Sequence, residues 1–263
     1  MILIDLILIR VKKLALIISI FLFAGCSTAP KDPTEGLSAA EIYSLAKEYM
    51  DSESYTQAIE NFEILESRYP FGVYATQAQL DVAYCYYLYD EPESATAAAE
   101  RFIKLHPRHP AVDYAFYLKG LINFGPKGSV LDNFYQRDPA DYDRSKLLQS
   151  YQDFQILVNR FPASKYAQDA IKRMVYLRNQ LARADLKIAE YYLTRKAWIS
   201  AANRAKKLLN QFQGSSSIKR ALQIQLLSYQ QLGLEQLASD TQRILVHNYG
   251  EQAAEVSLPT EDS

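Results

Sequence analysis

Ala46-Lys-Glu-Tyr-Met-Asp-Ser-Glu-Ser-Tyr-Thr-Gln-Ala-Ile-Glu-Asn-Phe-Glu-Ile-Leu-Glu-Ser-Arg-Tyr-Pro70 decides the fold, because its spacing comes back 37 residues later. Ala46, Tyr49, Ala58, Phe62, Leu65 and Pro70 recur as Ala83, Tyr86, Ala95, Ala99, Phe102 and Pro107. Within each copy the apolar residues fall at helical spacing on either side of a short polar break. Small residues in the first and third columns let two antiparallel helices approach closely. The aromatic and the large apolar columns fill the space to the next pair, and the proline ends the second helix.

Working outward, a third copy begins with Gly120 and Asn123 and resumes as Ser150, Phe154, Leu157 and Pro162. A fourth reads Ala189, Tyr192, Ala201, Ala205 and Leu208, and a fifth Leu226, Tyr229, Ala238, Gln242 and Leu245. The pattern resembles the tetratricopeptide repeat (TPR). It predicts an all-α superhelix of five helix-turn-helix repeats, at about 39–72, 76–108, 111–162, 164–213 and 217–249. No single repeat buries its apolar face alone, so the array folds as one stack. No strand-like alternating runs bounded by turns are present.

Two departures stand out. Pro107 to Pro162 spans 55 residues, 18 more than Pro70 to Pro107. The extra length falls at Gly125 to Ser145, read either as a functional segment or as a tolerated surface loop. Inside it, Asp138-Pro139 resembles an N-cap and first-turn proline for the next helix. From Ser164 to about Arg195 no proline or glycine occurs, which predicts one very long helix opening repeat four and bracing the two halves of the array.

Ahead of the repeats, Lys12-Lys13 precede an apolar run from Leu14, which closes on Phe23-Ala-Gly-Cys26-Ser27. Basic, apolar, small, cysteine is the order of an export signal. It resembles a bacterial lipoprotein signal over residues 1–25, with Phe23 where leucine is usual. That resemblance implies an S-diacylglycerol thioether and an N-acyl group on Cys26 and no other cofactor. The 11 residues from Leu14 to Ala24 are too few to span a bilayer, which argues against a cysteine inside a membrane helix. Asp5 interrupts a second apolar patch upstream, so translation is expected to begin at Val11 rather than Met1. Residues 26–38, with two prolines and a glycine, read as a flexible tether, and the polar stretch from Gly250 to Ser263 as a disordered tail. Ser27 after the cysteine looks like an outer-membrane destination.

The chain has 263 residues, 29 basic and 30 acidic. Cleavage before Cys26 leaves 26 basic and 29 acidic residues, a balance that offers nothing to a nucleic-acid backbone. A lipidated Cys26 leaves Cys85 as the one thiol, so no internal disulfide forms. His106 and His109 share a turn without a cysteine or acidic residue at zinc spacing, and no nucleophile elbow or phosphate-cradling glycine loop occurs. The expectation is a non-enzymatic protein without a metal.

In a TPR array the first helix of each pair lines the inner face. The positions left over by the core columns are Tyr43, Lys47 and Met50, then Leu80, Tyr84, Tyr87 and Leu88, then Tyr114, Tyr117, Leu121 and Phe124. With 20 tyrosines in the chain, this row suits an extended peptide with aromatic side chains and free backbone groups. The alternative is that some of these rings pack between helices. Trp198 and Arg204 in repeat four offer an aromatic anchor and a carboxylate clamp to a partner protein, or else pack in the core and face solvent respectively.

Four stretches carry a more specific resemblance: Arg68-Tyr-Pro-Phe-Gly72, Arg101-Phe-Ile-Lys-Leu-His-Pro-Arg-His-Pro110, Asp113-Tyr-Ala-Phe-Tyr-Leu-Lys-Gly120, and Ala189-Glu-Tyr-Tyr192 with Ala197-Trp198. With the lipoprotein signal and five repeats, the chain from Cys26 to about residue 249 resembles the BamD (ComL) family of the outer-membrane β-barrel assembly (BAM) machine. The resemblance implies lipid anchoring at the periplasmic side of the outer membrane. It implies partnership with the POTRA region of BamA through the C-terminal repeats, Arg204 among the contacts, and with other BAM lipoproteins. It also implies that the N-terminal groove receives signals of unfolded outer-membrane proteins. A pilotin-like TPR lipoprotein escorting a secretin is the first alternative. An enzyme acting on peptidoglycan, with its acids in 125–145, is a remote one.

Overall fold

The computed structural model describes residues 33–124 and 143–256. Cys26, the expected signal over residues 1–25, most of the expected tether and nearly all of the repeat-three insertion, Asp138-Pro139 included, lie outside these residues. Among the described residues ten α-helices follow one another: α1 Ala39–Asp51, α2 Tyr55–Arg68, α3 Val73–Leu88, α4 Pro92–Leu105, α5 Val112–Ile122, α6 Arg144–Arg160, α7 Ala167–Thr194, α8 Trp198–Gln211, α9 Ile218–Gln231 and α10 Glu235–Tyr249. No strand occurs among the described residues. The architecture is the expected all-α, TPR-like stack of helix pairs.

The repeat columns are where the pairs touch. Ala46, Ala83 and Ala189 are fully buried in first helices, and Ala58, Ala95, Ser150 and Ala201 face them from second helices. Phe62, Phe154, Leu65, Phe102, Leu157 and Leu208 fill the interior behind them. The tyrosine column does a second job at the turn. The carbonyls of Tyr49, Tyr86, Tyr192 and Tyr229 accept from the backbone N–H five residues on, at Ser54, Glu91, Ala197 and Leu234, over 2.8–3.0 Å. Each of these turns places one residue in the left-handed region: Glu53, Asp90, Lys196 and Gly233. Only the last is the residue type that conformation favours. The fifth copy departs in the other direction, since Gln242 is exposed and Thr241 is buried.

Local signals set the helix ends. Ser38 caps α1 as a capping box: Glu41 N–H donates to its Oγ, while Ser38 N–H donates to the Glu41 carboxylate at 2.8 Å. Asp143 caps α6 by accepting from Ser145 N–H at 2.8 Å.

First helices also touch each other directly, α1 with α3, α3 with α5 and α7 with α9, while no comparable contact joins two second helices among the described residues. First helices therefore form the inner layer. The 28 residues of α7, about 42 Å of helix, bear out the long helix read from the sequence. Its Ala170, Leu177, Leu181, Ala189 and Leu193 belong to one core running from Val112 to Leu227. A separate core under α1–α3 holds Ile42, Ala46, Phe62, Leu65 and Cys85.

The expectation of disorder from Gly250 is corrected for its first part. Glu251–Ala254 form a 3-10 turn, and Ala253 is buried with Leu222, Leu226 and Leu245. Gln223 Nε2 donates to its carbonyl at 3.0 Å. The last pair of a stack has no neighbour to cover its apolar side, and this turn covers it.

Candidate ligand groove and partner surface

Along the inner layer, aromatic rings and two carboxylates form two groups of contacts, one around Tyr43, Tyr74 and Asp81 and one running from Tyr84 to Tyr176. The Tyr43 ring on α1 lies 5.7 Å from Phe62 and 5.4 Å from Tyr74, and its hydroxyl donates to Asp81 on α3 at 2.7 Å. Gln77 donates to the other Asp81 oxygen at 3.2 Å. Tyr84 meets Tyr87 and Tyr114, and Tyr114 meets Tyr166 at 5.3 Å. Tyr117 stacks on Tyr166 with centroids 4.8 Å apart and planes 17° from parallel, and donates to Asp169 at 2.6 Å. Arg173 holds the same carboxylate at 2.5 Å and lies over the Phe124 ring. Phe124 meets Tyr176 at 5.5 Å.

Burial governs the titration of these groups. It pushes the Tyr43 and Tyr114 hydroxyls up, and the Tyr117 hydroxyl up to about 12, with the bond to Asp169 adding to the last. Burial also raises Asp81, and the donors around it do not cancel the effect. At Asp169 burial acts in the same direction, but Tyr117 and Arg173 outweigh it and hold the carboxyl below its ordinary value. Tyr43, Tyr114 and Tyr117 are therefore neutral throughout the physiological range. The Cys85 thiol, buried and pushed up to about 12, is a packing group.

Of the groove positions read from the sequence, Tyr43 falls in the first group of rings and Tyr84, Tyr87, Tyr114, Tyr117 and Phe124 in the second, while Lys47, Leu88 and Leu121 are half-buried. Two are corrected. Leu80 is 2% exposed and packs with Phe102 and Ala115, and Met50 is 9% exposed within the α1–α3 core. One helical position is only about 100° of rotation, so a neighbour of a groove residue readily faces the helix behind it. Sequence reasoning missed Tyr74, Asp81, Tyr166, Asp169, Arg173 and Tyr176. An acidic residue amid the apolar positions of α3 and the i,i+4 spacing of Asp169 and Arg173 were the available signals.

At the second surface, Trp198 is half-buried against the large core. Arg204 on α8 sits 3.8 Å from Asp185 on α7, a carboxylate whose side chain is 2% exposed. Arg144 on α6 reaches the other Asp185 oxygen at 3.1 Å. Beside this cluster a cleft of about 480 Å³ between α6, α7 and α8 is lined by Arg144, Arg178 and Lys207 with Tyr151, Gln152 and Phe212, and by no acidic residue. The structure thus does not leave Arg204 free in solvent, and it ties Trp198 to the fold.

Among the described residues, no three His, Cys, Asp or Glu side chains converge as a metal site, and no helix is long and apolar enough to cross a membrane.

A family model described as YfiO, outer membrane lipoprotein, matches residues 36–244. The chain belongs to this family. Among its curated relatives is the outer membrane protein assembly factor BamD of Neisseria meningitidis serogroup A, 43% identical over 244 residues, which are 90% of this chain and 91% of the relative. BamD of Vibrio cholerae serotype O1 is 36% identical, over 91% of this chain and 99% of its own length. BamD of Haemophilus influenzae is 33% identical, over 96% of each chain. The YfiO match begins two residues before the Ser38 cap and ends one before Leu245, so it takes in α1 to α9 whole and the first two thirds of α10.

Proposed function

We propose that this protein is a non-enzymatic assembly factor for outer-membrane proteins, held by a lipid on Cys26 at the periplasmic side of the outer membrane. The inner face of its N-terminal repeats receives segments of unfolded outer-membrane proteins. Its C-terminal repeats hold the POTRA region of BamA, alongside other lipoproteins of the same machine. The run of ring contacts from Tyr84 through Tyr114, Tyr166 and Tyr117, and by way of Phe154 to Phe124 and Tyr176, is the observation that carries the groove reading. Half-buried tyrosines give a bound peptide apolar area, and neutral hydroxyls give its backbone hydrogen bonds. At the other end, the cationic cleft and the part-exposed Arg204 suit an acidic surface on a folded partner. Function here is recognition and handover, and no bond-making group is required.

The test is crosslinking of a peptide with the aromatic C-terminal signal of an outer-membrane protein. Tyr84→Ala with Tyr117→Ala abolishes crosslinking while helicity is kept. Unchanged crosslinking in that variant rules the groove out. Copurification of a secretin instead of a barrel protein with POTRA domains would turn the assignment toward the pilotin.

A further inference from the structure

The turn between α2 and α3 carries the two most exposed large apolar side chains among the described residues. Phe71 is 91% exposed and Val73 is 82% exposed, against 65% for the next, Ile199. They flank Gly72, whose φ of 111° with extended ψ belongs to glycine, and they follow Pro70. The fold presents this Phe-Gly-Val tip rather than covering it. Exposing a whole phenylalanine and a whole valine forgoes burial that a folded chain ordinarily takes.

The same corner is where the N-terminal segment joins the fold. Arg68 Nη1 donates to the Thr34 carbonyl at 2.5 Å, and the Tyr69 hydroxyl donates to the Leu37 carbonyl at 2.8 Å. Leu37 N–H closes back on Thr34 at 3.1 Å, and Thr34 is fully buried. The residues that grip the incoming chain are thus the two that precede the Pro70-Phe71 tip. Cys26 lies eight positions before Thr34, a reach of at most about 28 Å when fully extended. A lipid on Cys26 therefore keeps this corner, ahead of every later repeat, next to the bilayer surface.

We propose that Phe71 and Val73 are a membrane-contacting tip, which enters the phospholipid interface beside the lipid-bearing residue. The inference rests on the lipid anchor at Cys26 proposed above. Two side chains make a weak membrane contact by themselves, but the tether makes the contact intramolecular and supplies a high effective concentration. A chain held only by a flexible leader turns freely. Held at a second point, the array takes one orientation, with its N-terminal corner at the lipid and the remaining repeats directed away from it.

The experiment uses the mature chain in two forms: natively processed and reconstituted into phosphatidylethanolamine–phosphatidylglycerol vesicles, and hexahistidine-tagged at residue 26 on the same vesicles containing nickel-chelating lipid. Phe71→Trp, in a Trp198→Phe background, reports on the tip, and Ile199→Trp in that background is the control. Brominated acyl chains are expected to quench the tip tryptophan and leave the control unchanged. Phe71→Ser with Val73→Ser is expected to leave the nickel-bearing vesicles roughly tenfold faster or more. An unquenched tip in the nickel-tethered form overturns the proposal. So does a tip emission that shifts on adding an outer-membrane-protein peptide without vesicles, because the tip would then belong to the peptide groove. Quenching in the tethered form, with no vesicle association of the processed form, upholds the tip and removes the lipid reading of Cys26.

Discussion

Phe154 occupies the space that a Cβ on Gly120 would need. A methyl group built there stands 2.4 Å from two atoms of the Phe154 ring, and Ser150 Oγ on the same helix donates to the Gly120 carbonyl at 2.7 Å. Helix α6 can lie this close to α5 because both column residues are small. Gly120→Ala would normally help a helix by about 0.5–1 kcal/mol. Here it is expected to destabilise by roughly 1–3 kcal/mol, because the added methyl overlaps a fully buried ring that must shift within a packed core. The urea midpoint should fall with an unchanged slope. Phe154→Leu in the same chain should return part of the loss, a coupling that a double-mutant cycle reads directly.

Asp185 separates stability from partner binding. Its buried carboxylate is shared by Arg144 from α6 and Arg204 from α8. Arg204→Met removes only the longer, 3.8 Å contact and leaves the Arg144 bond, so the expected loss is about 1 kcal/mol or less. Arg144→Met with Arg204→Met strands a carboxylate that cannot reach water, and roughly 3 kcal/mol or more should be lost. If Arg204 is the partner contact, the single variant loses POTRA binding at nearly full thermal stability. A single variant that melts early and still binds would make Arg204 purely structural.

The helical columns were legible because each is a packing requirement that repeats. Ala46, Ala83, Gly120 and Ala189 are small for one reason, and a reader needs only the spacing to find them. The long α7 was legible through the absence of breakers from Ser164 to Arg195. The carboxylates of the groove were not. Tyr43 and Asp81 are 38 positions apart, and their bond exists only because α1 lies beside α3. Leu80 and Met50 were assigned to the groove because the boundary between inner face and core is set by how each helix is rotated in the stack, which residue type does not report. Left-handed Glu53, Asp90 and Lys196 gave no turn signal either. The six-to-one backbone bond from the residue after each of them imposes the conformation on whatever side chain is there.

Asp81 gives the groove a pH signature. Its folded-state pKa is raised by burial, so its protonated form is favoured more in the folded than in the unfolded chain. The stability it contributes is full below the unfolded value of about 3.9 and is lost as pH rises through the folded value. Asp81→Asn keeps an oxygen for the Tyr43 hydroxyl and removes the charge. The variant is expected to melt above the parent at pH 7, and the difference should close as pH falls below about 4. A gain that persists unchanged at low pH would mean that packing, not charge, is responsible.

Glu53 is the test of the turn itself. It holds φ 60° between α1 and α2, where an L side chain is strained by roughly 1 kcal/mol. Its side chain is exposed, so replacing it removes no packing. Glycine relieves the strain but gives the unfolded chain more freedom, and the two partly offset. Glu53→Gly should therefore stabilise by about 0.5 kcal/mol, and Glu53→Val, with a β-branched side chain in the same conformation, should destabilise by about 1 kcal/mol or more. Gly233→Ala, at the matching turn between α9 and α10, should lose stability as well. Urea midpoints for the three variants give the order directly. A Glu53→Gly variant less stable than the parent would show that the turn between α1 and α2 is held by something other than its backbone geometry.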